Sequence, residues 1–226
     1  MGFRVLVFGG TGQVGSGLVR ALLATSTCTE VVMINRRTIP LAVDARLRQV
    51  IMDTDAASFG SEITELARAC GAQGDPLYAA SCIGIGKGSQ QWSEADIRKL
   101  EIGVVGAFAR GCLAAGIERF GLLSAAGSSA SSRIRYARIM GEKEDAVRGL
   151  GFKRLAIFRP GIIAGNAHTP GYLAVLGRLI PGSFGTIEQD DIGRAFVAEC
   201  IGNSAANGGV VYLENGAMRE RSRALK

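Results

Sequence analysis

The chain has 226 residues, 47% hydrophobic and 20% charged, which excludes an extended disordered protein and allows a substantial buried core. Twenty-six Lys and Arg against 20 Asp and Glu give a net charge of +6, but the arginines are dispersed until the C-terminus, which argues against a nucleic-acid partner. Thirty-two glycines beside five prolines mark tight turns and close backbone approaches, not a collagen or a linker.

Residues 3–8, Phe-Arg-Val-Leu-Val-Phe, predict a short buried strand. A glycine loop follows, and Val14, Leu18, Val19, Leu22 and Leu23 fall at helical spacing. Val31 to Ile34 and Leu47 to Met52 predict two more strands. Ile63, Leu66, Ala67 and Cys70 mark a helix ending at Gly71, and Leu77 to Ile83 a fourth strand that breaks at Gly84. Ser93 is placed to cap a long helix whose apolar stripe is Ile97, Leu100, Val104, Phe108 and Cys112. Gly116 ends it. A strand at Phe120 to Leu123, a helix from Ile134 to Leu150 and a strand at Leu155 to Phe158 follow, stopped by Pro160-Gly161. Beyond residue 160 the pattern loosens, with a helix near Ile192 to Ile201 and a strand at Val210 to Leu213. Strands alternating with helices predict an α/β, doubly wound parallel sheet with helices on both faces. A single domain over residues 1–226 is expected, with about residues 160–226 adding a small lobe on the substrate side.

The five cysteines, Cys28, Cys70, Cys82, Cys112 and Cys200, contain no C-x-x-C pair and read as reduced, mostly buried thiols. With His168 the single histidine, no metal site is expected. No apolar run approaches the ~18 residues of a membrane span. The strand beginning at Phe3 leaves no room for a signal or transit segment. A cytoplasmic, intracellular protein is therefore expected, with the nucleus left open.

Gly9-Gly10-Thr11-Gly12-Gln13-Val14-Gly15 lies between the first strand and the first helix. That is the context a Rossmann-type dinucleotide loop requires. Gly9 permits the tight turn, Gly12 lets the backbone approach a pyrophosphate, and Gly15 lets helix and strand pack closely. The helix N-terminus adds amide donors and partial positive charge. The second strand ends in Asn35-Arg36-Arg37. An NAD site wants a carboxylate there; two guanidiniums suit a ribose 2′-phosphate, so NADP(H) is the expected cofactor. Asp53, just after the third strand, is placed either to meet the adenine amino group or to cap a turn.

With Gly116-Ile117-Glu118-Arg119-Phe120-Gly121-Leu122-Leu123-Ser124, Tyr136 on the next helix, and Phe158-Arg159-Pro160-Gly161, the chain resembles the atypical short-chain dehydrogenases/reductases over about residues 3–215. Leu122-Leu123-Ser124, the serine-rich stretch to Tyr136 and Phe158-Arg159-Pro160-Gly161 make it most similar to the Tat-interacting oxidoreductase-like proteins. The resemblance implies hydride transfer, with a Tyr proton donor, a Lys four residues later and a Ser hydroxyl on the carbonyl. It makes Tyr136 and Ser124 catalytic candidates, with Ser128 and Ser129 as fallbacks. It also implies that Gly84 passes close to the cofactor and that Pro160, Gly161, Ile162 and Ile163 line the nicotinamide side. The pattern breaks at Met140, where the Lys is expected, because a thioether neither donates a proton nor supplies charge. Lys143, seven residues after Tyr136, falls on the same helical face about 4.5 Å further on and is the remaining lysine candidate.

Two functions follow. One is an NADPH-dependent reductase of a small apolar, flavin, quinone or carbonyl substrate. The alternative, favoured by Met140, is a non-catalytic NADPH-binding regulatory or assembly protein. The expected partners are a small-molecule substrate or a protein, with no nucleic acid and no membrane, in a monomer or homodimer.

Overall fold

The computed structural model describes residues 2–40, 44–72, 74–85, 91–165, 180, 182–202 and 208–225. Seven strands, β1 (Phe3–Phe8), β2 (Cys28–Asn35), β3 (Leu47–Ile51), β4 (Leu77–Ser81), β5 (Arg119–Leu123), β6 (Arg154–Arg159) and β9 (Gly209–Glu214), form one sheet in the order β3-β2-β1-β4-β5-β6-β9. Every pairing is parallel. Two short strands, β7 (Ile162–Ala164) and β8 (Thr186–Glu188), pair parallel in a separate ribbon.

A parallel sheet is covered on both faces, so its strands read as continuous apolar runs. Successive residues of β1 show why. Val5 and Val7 pack with α1 (Gln13–Ala24), α6 (Gln189–Ile201) and α7 (Asn215–Arg223) through Leu18, Leu22, Phe196 and Met218. Leu6 and Phe8 turn to the other face, against Phe59 and Ile63 of α2 (Phe59–Gly71), Phe108 of α4 (Val105–Ala114) and Val147 of α5 (Arg135–Arg148). This is the doubly wound architecture expected from the alternation. Gly121 on β5 is small because a Cβ there would lie 2.8 Å from the Phe196 ring, which stacks on Phe158 at 3.5 Å.

Three features depart from the sequence expectations. The helix capped by Ser93 is interrupted: α3 (Glu94–Arg98) passes into a π-helical turn over Lys99–Val104 before α4 begins. The Ser93 cap itself forms, its hydroxyl accepting from the Asp96 amide at 3.1 Å. Helix α7 was not expected, because its Asn-Gly-Ala-Met-Arg-Glu-Arg-Ser-Arg sequence has almost no apolar face; only Asn215, Met218 and Ser222 are buried. β7 and β8, three residues each, are too short for periodicity to reveal.

Cys28, Cys70, Cys82 and Cys112 are buried free thiols, as expected, and Cys200 is half-buried. Burial pushes the Cys28 thiol up to about 11 and those of Cys82 and Cys200 up to about 12, from an ordinary 9.0. The unfolded chain therefore releases these protons at lower pH than the folded one. The stability they contribute is present below about pH 9 and is lost as pH rises toward their folded values. Urea unfolding at about pH 8 and about pH 10.5 is expected to show a lower midpoint at the higher pH, and Cys28→Ala combined with Cys82→Ala to reduce that difference.

Candidate functional site

The C-terminal ends of the central strands open onto two cavities that meet at Gly84. One, about 330 Å³, is lined by Gly9, Thr11, Asn35, Arg36, Arg37, Thr54 and Leu100 among others. The second, about 460 Å³, is lined by Gly12, Gln13, Val14, Ser124, Tyr136, Pro160, Gly161 and Ile163. The glycine loop forms the floor between them. Gly9 sits at φ +85, in the left-handed region, and a Cβ there would lie 2.9 Å from the Cys82 carbonyl carbon. A Cβ on Gly15 would lie 2.0 Å from the Gly9 carbonyl oxygen, so nothing larger than glycine lets α1 pass this close. Gly12 is the N-cap of α1; no side chain caps this end and no acidic residue stands in its first turn. Its amide donors and partial positive charge face the cavities.

Arg36 and Arg37 are exposed at the rim of the first cavity and make no ion pair among the described residues. Arg36 also lines an adjoining hollow of about 490 Å³ with Asp55, Trp92 and Lys99. There a hydrogen bond from Lys99, at 2.5 Å, holds the Asp55 carboxyl below its ordinary range, with a smaller contribution from Arg36. Asp53 is exposed and spends its carboxylate on the Asp55 amide at 2.9 Å, the turn-capping role. The cavity wall at this point is Thr54, not Asp53.

Tyr136 reaches the second cavity, but Lys143 does not accompany it. Lys143 is 1% exposed and paired at 2.7 Å with Glu101, which is 0% exposed; its ammonium also donates to the Ile83 carbonyl at 3.3 Å. The second Glu101 oxygen accepts from the Ile85 amide at 3.1 Å. Met140 is buried beside Ile97 and Ile139, with Tyr136 packed against the cluster. Burial first, and the Glu101 charge second, push the Tyr136 phenol well above its ordinary 10.0. A working Tyr–Lys pair requires the opposite shift. The physical reason is packing: α5 turns Met140 into the apolar cluster, and the buried acid on the neighbouring helix captures the lysine one turn later.

Ser124 lines the second cavity and its hydroxyl donates to Glu144 at 2.5 Å. Glu144 is 4% exposed and held by the Arg159 guanidinium, which lies 4.3 Å over the Tyr212 ring. Ser128 is buried, 3.1 Å from Ser124 and donating to the Ala125 carbonyl; Ser129 is exposed in the loop. The Gly161 amide donates to the Asn215 side chain and the Ile162 amide to the Gly185 carbonyl, so both are already engaged. Asp190 pairs with Arg20, and Asp191 with Arg194, in the first turn of α6. His168, Lys87 and most of the apolar stretch from Gly171 to Phe184 lie outside the described residues. No group of His, Cys, Asp and Glu able to hold a metal occurs among the described residues.

Sequence reasoning missed Glu101, Glu144, Arg159 and Asn215. A signal for Glu101 existed: it stands four residues after Ile97 and three before Val104, a charge on the stripe that faces the core.

Solved structures similar to this chain share its fold. The oxidoreductase ylbE from Lactococcus lactis superposes with a TM-score of 0.69 at 15% identity, covering 98% of this chain and 96% of that one. WbmH from Bordetella bronchiseptica, in complex with NAD+, superposes with a TM-score of 0.68 at 18% identity, covering 98% and 79%. The chain therefore has the Rossmann-like α/β fold that these structures share. No family model matches the chain. A curated relative, the mitochondrial protein fmp52 of Aspergillus clavatus, is 31% identical over 215 residues, covering 93% of this chain and 88% of the relative. The fmp52-1 protein of Aspergillus oryzae, also named mitochondrial, is 31% identical over 210 residues, covering 92% and 86%. The chain belongs to the Fmp52 family. The cytoplasmic expectation is corrected by these relatives, which are named mitochondrial proteins. It rested on an N-terminal strand leaving no room for a leader, and a strand near the N-terminus says nothing about destination. Among the described residues, no helix is long and apolar enough to cross a membrane.

Breaking the buried pair is expected to be costly. Lys143→Met leaves the Glu101 charge buried alone and lowers unfolding free energy by about 3–5 kcal/mol. Lys153→Met, at an exposed pair with Glu118, changes it by less than about 0.5 kcal/mol. Urea denaturation of the two variants side by side checks the contrast.

Proposed function

We propose that this protein binds NADP(H) across the two cavities and acts as a reductase of a small apolar acceptor: a quinone, flavin or carbonyl compound. The observation that carries the reading is the pair of exposed guanidiniums at Arg36 and Arg37, which form no salt bridge among the described residues and stand beside a cavity that begins at the uncapped end of α1. Two adjacent exposed cations suit a ribose 2′-phosphate, and the first-turn amides of α1 suit a diphosphate. The backbone fits such a group at close range, since a Cβ on Gly12 would already meet the Gly9 oxygen at 3.3 Å. Reduced nicotinamide, when bound, supplies a hydride. Ser124, Tyr136, Pro160, Gly161 and Ile163 wall the reacting end and orient the acceptor there. Tyr136 stays protonated and is a weak acid, and Ser124 directs its proton to Glu144. The proton that completes the reduction therefore comes from solvent.

The NAD complex of WbmH and the finer likeness to the Tat-interacting oxidoreductase-like proteins, through Leu122-Leu123-Ser124 and Phe158-Arg159-Pro160-Gly161, support the same reading. We also take the mitochondrion as the compartment, from the names of the relatives, and a monomer or homodimer as the state. A second reading, a non-catalytic NADPH-dependent regulatory protein, is favoured by one observation: Met140 and the captured Lys143 leave no assembled proton-donating pair.

Calorimetric titration is expected to show NADPH binding more tightly than NADH. Arg36→Ala with Arg37→Ala should weaken NADPH by about 1–3 kcal/mol and NADH much less. Equal losses contradict the 2′-phosphate assignment. Following NADPH absorbance against a panel of quinones, flavins and aldehydes separates the two readings, since binding without turnover leaves only the regulatory one. Where turnover occurs, Tyr136→Phe is expected to keep the rate within about three-fold, far short of the 10²–10⁴-fold loss of a working general acid.

A further inference from the structure

Two opposite charges withdrawn from water are a weak source of stability, and such a pair persists where its remaining hydrogen bonds accomplish something else. Among the described residues, those of Glu101 and Lys143 go to one short segment. The Lys143 ammonium donates to the Ile83 carbonyl at 3.3 Å, and the Glu101 carboxylate accepts from the Ile85 amide at 3.1 Å. Gly84, between these two anchors, is the residue shared by both cavities, and a Cβ on it would lie 3.9 Å from Glu101. Upstream, β4 ends at Ser81, and the Cys82 amide makes the last sheet hydrogen bond, to the Phe8 carbonyl at 2.8 Å. Among the described residues, the polar groups that hold the chain after that point are the ion pair. Glu101 is presented by the π-helical turn at Lys99–Val104, a rare arrangement that occurs frequently at functional sites.

We infer that Glu101 and Lys143 are positioning residues: a buried ionic clasp that holds Ile83–Ile85 so that Gly84 presents its backbone to both halves of the dinucleotide cleft. The inference rests on the NADP(H) reading for the identity of the ligand, and on the geometry alone for the state of the loop. It gives Lys143 a role in binding in place of proton transfer. The clasp acts at the junction of the cavities, so it matters for a ligand that spans both and little for one confined to the adenosine end.

The double variant Glu101→Leu with Lys143→Met removes both charges and leaves neither buried alone. Hydrogen exchange of the Ile85 amide in the ligand-free protein is expected to accelerate at least about 10-fold. NADPH affinity should fall about 10-fold, because the loop must be ordered on binding, while adenosine 2′,5′-bisphosphate affinity stays within about two-fold. Lys143→Arg, which keeps the cation, should recover NADPH affinity to within about three-fold of the parent. Should the double variant be unfolded, a second apolar pair, Glu101→Met with Lys143→Leu, carries the same readouts. Unchanged Ile85 exchange, unchanged NADPH affinity, or equal weakening of both ligands in a folded variant overturns the clasp. Absence of NADPH binding by the parent protein sinks the cofactor reading instead, and the exchange result still decides whether the pair holds the loop.

Discussion

The carbonyl oxygen of Gly9 stands 2.0 Å from where a methyl group on residue 15 would be. That single clearance governs the site. It lets α1 start directly over the end of β1, which puts the helix's unsatisfied amides at the mouth of the sheet and not out in solvent. Everything else in the cleft is arranged around that point. β2 ends on one side of it with Arg36 and Arg37, and β4 ends on the other with Gly84. Order at the sheet's centre is thus bought by one missing side chain.

Much of this was legible before any coordinates. Strand β1 and helix α1 announce themselves because both must bury apolar surface against fixed neighbours, so their periodicities are strict. The glycine loop is readable for the same reason: steric exclusion leaves one residue type. What could not be read was polar partnership inside the core. Lys143 sits on the expected face of α5, yet its partner Glu101 lies 42 positions earlier on another helix, shifted by an extra backbone residue that no propensity encodes. Helix α7 was invisible because its interactions are polar: Arg221 pairs with Glu199, and Ser222 donates to Asp191.

Buried ion pairs recur in the fold, and each joins different elements. Arg154 on β6 meets Glu199 on α6 at 2.9 Å, with Arg221 of α7 closing on the same carboxylate. Arg159 at the end of β6 holds Glu144 of α5, which in turn orients Ser124. The end of the cleft lined by Ser124 and Tyr136 is thus tied into these contacts. Its serine and tyrosine have neighbours that disfavour proton transfer, Met140 stands where the resemblance expects a lysine, and Lys143, the remaining candidate, is paired with Glu101.

The last strand of the sheet has a consequence for biogenesis. β9 covers the outer edge of β6 in register from Arg154 to Arg159, yet it lies some fifty residues further along the chain. During synthesis, β6 leaves the ribosome with that flank bare, and a bare flank is a template for pairing with strangers. It stays so until Gly209–Glu214 has emerged, and at ordinary elongation rates of 5–20 residues per second that interval lasts several seconds. The parallel sheet thus closes at this edge only after nearly the whole chain has been made.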